Sequence, residues 1–124
     1  MIVLGEQSRV SDDPPPEEVF DLLADEYARA ILTATTDERK SATMLAETLE
    51  IAPSTVYDRT DRLCEADFLE EHTEIDETGN HYATYRTRLD RLDVRLTSDG
   101  FAVGTERTDR DAAADQLTDL WRNL

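Results

Sequence analysis

One short stretch concentrates side chains that can read a polar surface: Ser54, Thr55, Tyr57, Asp58, Arg59, Asp61 and Arg62. Hydroxyls and guanidiniums bond to phosphate oxygens, and a guanidinium also pairs with two acceptors on a guanine edge. The opposite side of the stretch carries Val56, Leu63 and Ala66, with Thr60 one turn after Val56. A helix packed on that side presents the polar set outward, the geometry of a major-groove reader. Arg62 and Arg59 are the expected base readers, and Ser54 and Thr55 the expected phosphate contacts. A second polar group follows. Between His81 and Leu96, Arg86, Arg88, Arg91 and Arg95 face only Asp90 and Asp93, a local excess of two positive charges. Such a reversal on an acidic chain reads as a phosphate-facing surface, against the alternative of ordinary cross-strand ion pairs.

No enzymatic constellation is present: there is no Gly-rich phosphate loop, no H-E-x-x-H and no pair of cysteines. His72 and His81 could approach each other across a hairpin and bind a metal with nearby carboxylates. Exposed hairpin histidines are usually only that, so neither a metal nor a cofactor is expected. Cys64, the single thiol, sits beside Leu63, where burial is expected over reactivity.

These groups need elements to hold them. Ser41 is a suitable N-cap for a helix with Leu45, Ala46 and Leu49 on one face. Pro53 disfavours helix at Ala52 and fits the first turn of the next helix, expected to run to about Ala66. Phe68 to Ile75 and His81 to Leu89 read as strands around the turn cluster Asp76-Glu77-Thr78-Gly79-Asn80. Asn80 and His81 then fall at the tip, near a minor groove or backbone. Upstream, Glu17 to Thr35 reads as one helix with Val19, Phe20, Leu22, Leu23, Tyr27, Ala30, Ile31 and Ala34 as its apolar face. Downstream, Leu92, Val94 and Leu96, the turn Ser98-Asp99-Gly100, then Phe101 and Val103 read as a second hairpin or an extension of the first sheet. Thr108 caps a last helix, whose stripe Ala113, Leu117, Leu120, Trp121 and Leu124 is expected to form a dimer seam, against the alternative of packing on its own domain.

The run Leu45-Ala46-Glu47, Leu49, Ile51-Ala52-Pro53-Ser54-Thr55-Val56, Leu63, Ala66-Asp67-Phe68-Leu69 resembles the helix-turn-helix of winged-helix transcription regulators of the ArsR, PadR and TrmB kinds. The likeness is dense over about a third of the chain and looser from Val19 to Leu89. Two positions depart from the pattern: Asp67 stands where Gly is usual, and Thr60 where Leu is usual. The resemblance implies an α+β winged helix-turn-helix with a β-hairpin wing and a C-terminal dimerisation helix. It also implies a homodimer that places its recognition helix in the major groove of double-stranded DNA.

Charge bears on that expectation. The 124 residues hold 29 Asp and Glu against 13 Lys and Arg, a formal net charge of −16, and Lys40 is the one lysine. An acidic balance normally argues against DNA binding. The scarcity of lysine and the abundance of Asp, Thr and Ala resemble proteins of extremely halophilic archaea. In multimolar salt the Debye length falls below roughly 3 Å, which removes long-range repulsion. Inorganic cations could then bridge protein carboxylates and DNA phosphates. Size and salt signature together are similar to the PadR-like oxidative-stress regulators of that group. The competing expectation is a winged-helix protein–protein interaction module that does not bind DNA.

The expected organisation is a flexible N-terminal arm over residues 1–16, a winged helix-turn-helix domain over 17–107 and a dimerisation helix over 108–124; a floppy tail is favoured for the arm over one that reaches DNA or a partner through Arg9. No apolar run is long enough to span a membrane, and Met1-Ile2-Val3-Leu4 is too short for a secretory signal, so a cytoplasmic protein is expected.

Overall fold

Proline and aspartate punctuate the first elements of the computed structural model, which describes residues 13–111. Pro16 occupies the first turn of helix α1 (Pro16–Ala24), where its missing N–H costs nothing. The single helix expected over 17–35 is two helices, α1 and α2 (Glu26–Ala34). The break is at Asp25, whose extended backbone lets its carboxylate accept from the Ala28 N–H at 2.7 Å and cap α2. Asp is a weak residue inside a helix and a strong one at its start, and here the cap prevails.

Strand β1 (Lys40–Ser41) leads into helix α3 (Ala42–Leu49), which Ser41 caps by accepting from the Met44 N–H at 3.2 Å. Glu50 ends α3 in the left-handed region, and Pro53 starts α4 (Pro53–Glu65) as expected. After α4, Asp67 takes φ +63°, in the left-handed region that favours glycine. A short polar side chain tolerates that region better than most, and Asp67 also binds Arg88 at 2.9 Å and Arg107 at 3.3 Å.

Strands β2 (Leu69–Ile75) and β3 (His81–Thr87) form the expected hairpin, and β1 joins β3 to give a three-stranded antiparallel sheet in the order β1-β3-β2. Strands β4 (Leu89–Thr97) and β5 (Gly100–Arg107) form a separate two-stranded sheet rather than an extension of the first. The domain is thus a small α+β unit of four helices and antiparallel sheets, compatible with a winged helix.

Leu22, Ile31, Leu45, Val56, Leu63 and Phe68 are fully buried where the helices meet the three-stranded sheet. Truncating one of the buried leucines to alanine costs about 2–5 kcal/mol in such a core. Thr60 is also fully buried, and its hydroxyl donates to the Tyr57 carbonyl at 3.1 Å. The Thr60 hydroxyl thus finds its partner within its own helix, which lets a polar residue stand in the core where Leu is usual. Thr35 and Thr87 hold α2 to β3: their hydroxyls lie 2.7 Å apart, and the Thr87 N–H donates to the Thr35 carbonyl at 3.1 Å.

Two residues expected on the apolar face of the first helix are substantially exposed. Phe20 packs edge-on against Phe101 of β5 at 5.9 Å, and Tyr27 lies under the Arg59 guanidinium at 5.8 Å. In the second hairpin Leu92 and Val103 pack against the core, while Val94, Leu96 and Phe101 are largely exposed. Arg110 and Asp111 are helical, and the expected seam of Leu117, Leu120, Trp121 and Leu124 lies outside the described residues, as does Arg9.

Candidate nucleic-acid interface

Helix α4 divides as its sequence predicts. Val56, Thr60 and Leu63 are buried against the domain, while Ser54, Tyr57, Asp58 and Asp61 are exposed and Thr55, Arg59 and Arg62 are half-buried. The two arginines differ. Arg59 is committed within the domain: its Nε donates to Asp25 Oδ2 at 2.9 Å, one terminal nitrogen to Asp25 Oδ1 at 3.1 Å, and the other to Asp58 at 2.7 Å. The Arg59 hydrogen bond leads the causes that hold the Asp25 carboxyl below the usual carboxylate range, against a smaller opposing effect of burial. Arg62 touches Glu18 only at 4.0 Å, the loosest ion pair among the described residues.

The β2–β3 hairpin presents its tip to solvent. The Asp76 carboxylate accepts from the Thr78 hydroxyl at 2.7 Å and from the N–H groups of Thr78 and Asn80, each at 2.9 Å. These bonds lower its pKa, the Thr78 hydroxyl first. Gly79 has φ +89°, a value that suits glycine alone in so tight a turn. Thr78, Gly79, Asn80 and His81 are all exposed.

Two of the strand arginines expected to face phosphate, Arg86 and Arg88, are ion-paired within the domain. Arg86 is 11% exposed, bonds Asp111 at 2.6 Å and the Thr36 carbonyl at 3.0 Å, and its Nε has no partner among the described residues. Arg88 pairs with Asp67, and Arg91 with Asp93 at 3.2 Å. Arg95 is exposed and makes no ion pair with a described residue. Ion pairing thus accounts for three of the four arginines of the positive stretch.

Nor do the histidines meet. Register sets His72 opposite Thr84 and His81 opposite Ile75. The His72 Nε2 lies 2.9 Å from Glu70 and 3.4 Å from Asp111. Around them Arg39 binds Glu74 at 3.1 Å and Asp111 at 3.0 Å, and Arg39 is the leading cause of the lowered Glu74 pKa. No local spacing announces this network, because Asp111 comes from far along the chain.

Arg107 is a second residue without a sequence signal. It is 11% exposed and donates to the carbonyls of Asp67 at 2.7 Å and Ala66 at 3.0 Å, and to Asp13 at 3.1 Å. It also lies over the Phe68 ring at 5.6 Å. It therefore satisfies carbonyls at the end of α4, where a cation is favoured by the helix dipole. Cys64 is half-buried rather than fully buried, and burial, with the nearby acids adding, pushes its thiol up to about 12.

In comparisons with known proteins, no family model and no curated sequence matches this chain. Among the described residues, no helix is long and apolar enough to cross a membrane.

Proposed function

We propose that this domain is a winged helix-turn-helix regulator of transcription that binds double-stranded DNA in concentrated salt, as a homodimer and without a catalytic step. One observation carries the reading. Helix α4 buries Val56, Thr60 and Leu63 while its exposed side offers Ser54, Tyr57 and Asp58, and a hairpin with an exposed polar tip follows it directly. Ser54, Thr55, Tyr57 and Arg62 are the proposed groove contacts, with Asn80 and His81 at the hairpin tip on an adjacent groove or backbone. Asp58 and Asp61 lie on the same face and are the proposed anchors for bridging cations. Arg86 and Arg88 would have to leave Asp111 and Asp67 to touch phosphate, so their proposed role is secondary.

A second reading has its own support. Arg59, Arg86 and Arg88 are each paired with a carboxylate, and the net charge is −16. Such a surface also suits a protein–protein interaction module. The two readings separate in one experiment. Randomised duplexes are mixed with the full chain in multimolar potassium chloride, and bound sequences are selected over several rounds. Enrichment of a two-fold symmetric motif is expected. Failure to retain any duplex, by a protein still folded by circular dichroism, would favour the interaction module.

A further inference from the structure

We propose that Glu70, His72 and Asp111 form a binding site for a divalent first-row transition metal ion, at the junction of strand β2 and the helical turn at Asp111. One ligand atom from each of the three lies within 4.8 Å of the other two, a spacing that a single ion can bridge. The three are half-buried, and the imidazole Nε2 already sits 2.9 Å from Glu70 Oε1 and 3.4 Å from Asp111 Oδ2. Two carboxylates and one imidazole are a mixed oxygen and nitrogen set, which suits zinc, iron, nickel or manganese better than magnesium or calcium.

Of the two neighbouring arginines, Arg86 leaves room for the ion and Arg39 competes with it. Arg86 holds the other oxygen of Asp111, Oδ1, at 2.6 Å, and so orients the carboxylate without occupying its free edge. Such outer partners commonly position ligating carboxylates. Arg39 is the competitor, because it donates to Asp111 Oδ2, but it has Glu74 at 3.1 Å as an alternative. Binding therefore displaces both contacts of Arg39 with Asp111 Oδ2, at 3.0 and 3.2 Å, and the His72–Glu70 hydrogen bond, and adds two positive charges beside Glu70, Glu74 and Asp111. The ion would fasten β2 to the segment that follows β5. None of this depends on DNA binding.

The test is calorimetric titration of the full chain with zinc, nickel and manganese chlorides in a non-chelating buffer containing potassium chloride, with magnesium chloride as control. One ion per chain is expected for at least one transition metal, with acidification weakening uptake because an imidazole must be unprotonated to ligate. His72→Ala and Asp111→Asn should each lower affinity at least about tenfold, while His81→Ala leaves it unchanged. Nuclear magnetic resonance with substoichiometric manganese adds a local reading that survives a weak heat signal: amides of Glu70, His72 and Asp111 should broaden before those at the hairpin tip. No saturable uptake of any of the three metals, equal loss with His81→Ala, or broadening led by Asp76 and His81 would each overturn the site and leave an ion-paired cluster in its place.

Discussion

Arg59 grips Asp25 with two nitrogens on two oxygens, Nε to Oδ2 at 2.9 Å and a terminal nitrogen to Oδ1 at 3.1 Å. The pair ties the exposed helix α4 to the break between α1 and α2, so one carboxylate both caps α2 and holds an arginine of the proposed reading helix. The two roles can be separated. Asp25→Asn keeps a capping oxygen and removes the charge, whereas Asp25→Ala removes both. The alanine variant should be the less stable of the two by about 1 kcal/mol, measured by denaturant unfolding at constant salt. The pH dependence has a definite sign. The Asp25 carboxyl is held below its ordinary value of 3.8, so the stability it contributes is present above that value and lost as pH falls through the lower, folded-state value. Asp25→Asn should therefore flatten part of the acid limb of the stability curve. An unchanged acid limb would mean that the pair contributes little in solution.

The same pair predicts an asymmetry between the two arginines of α4. Arg62 has only a loose contact with Glu18, whereas Arg59 must exchange Asp25 and Asp58 for any DNA contact. Arg62→Ala should weaken binding to a selected duplex by about 1–3 kcal/mol if it reads a base. Arg59→Ala should cost less binding and more stability. Gel-shift titrations of both variants decide it. Full affinity in both, with the fold intact, would remove α4 as the reader.

Parts of this architecture are legible in local sequence because local chemistry determines them. Ser41 caps α3 through an N–H three residues on, Pro53 starts α4 by its own ring, and Asp76 closes its turn within four residues. The break at Asp25 is not of that kind. A periodic apolar face runs through it, and its carboxylate is fixed in part by Arg59, 34 residues later. Arg86 likewise reads as a surface cation until Asp111 arrives from 25 residues away. Net local charge predicts a field, and it does not say which carboxylate folds back onto which guanidinium. That is why helix α4 and the hairpin were foreseeable, while the committed state of their arginines was not.

Arg107 and Arg95 lie on paired strands and should behave in opposite ways. Arg107 satisfies the carbonyls of Ala66 and Asp67 and is nearly buried, whereas Arg95 is exposed without an ion pair to a described residue. Arg107→Ala leaves polar groups at the end of α4 unpaired and should cost about 1–3 kcal/mol. Arg95→Ala should fall within about 0.5 kcal/mol of the parent. Thermal unfolding of the two variants in the same salt tests the contrast. Equal melting temperatures would mean that water replaces Arg107 without loss.

The proposed dimer makes a separate claim about residues outside the described part. Leu117→Glu places a charge on the proposed apolar stripe and should yield a folded monomer that no longer binds two half-sites together. Sedimentation measures it. A dimer that survives would move the seam elsewhere, and the exposed Val94, Leu96 and Phe101 of the second hairpin would be the next surface to charge.

Salt dependence should separate the proposed binding from that of an ordinary basic DNA-binding protein. A basic protein releases counterions from DNA, so its affinity falls steeply as salt rises. Here Asp58 and Asp61 stand exposed on the proposed reading face, and Arg59, Arg86 and Arg88 are already neutralised by Asp25, Asp67 and Asp111. At low salt the net charge of −16 opposes approach to phosphate. In multimolar salt screening shrinks to roughly 3 Å or less, and the local contacts decide. A hard cation between an Asp carboxylate and a phosphate oxygen has the oxygen ligands it favours. Binding would then take up cations where a basic protein releases them. The slope of log affinity against log salt should be shallow or positive over the range in which the protein stays folded. Titration of a selected duplex from moderate to multimolar potassium chloride gives the slope, with circular dichroism at each salt to establish folding. Asp61→Asn should make the slope more negative, since it removes a bridging site and breaks no ion pair with a described residue, whereas Asp58 is held by Arg59. A steep monotonic fall in the folded parent protein would show that released counterions dominate and that the acidic residues of α4 hold no cation against the DNA.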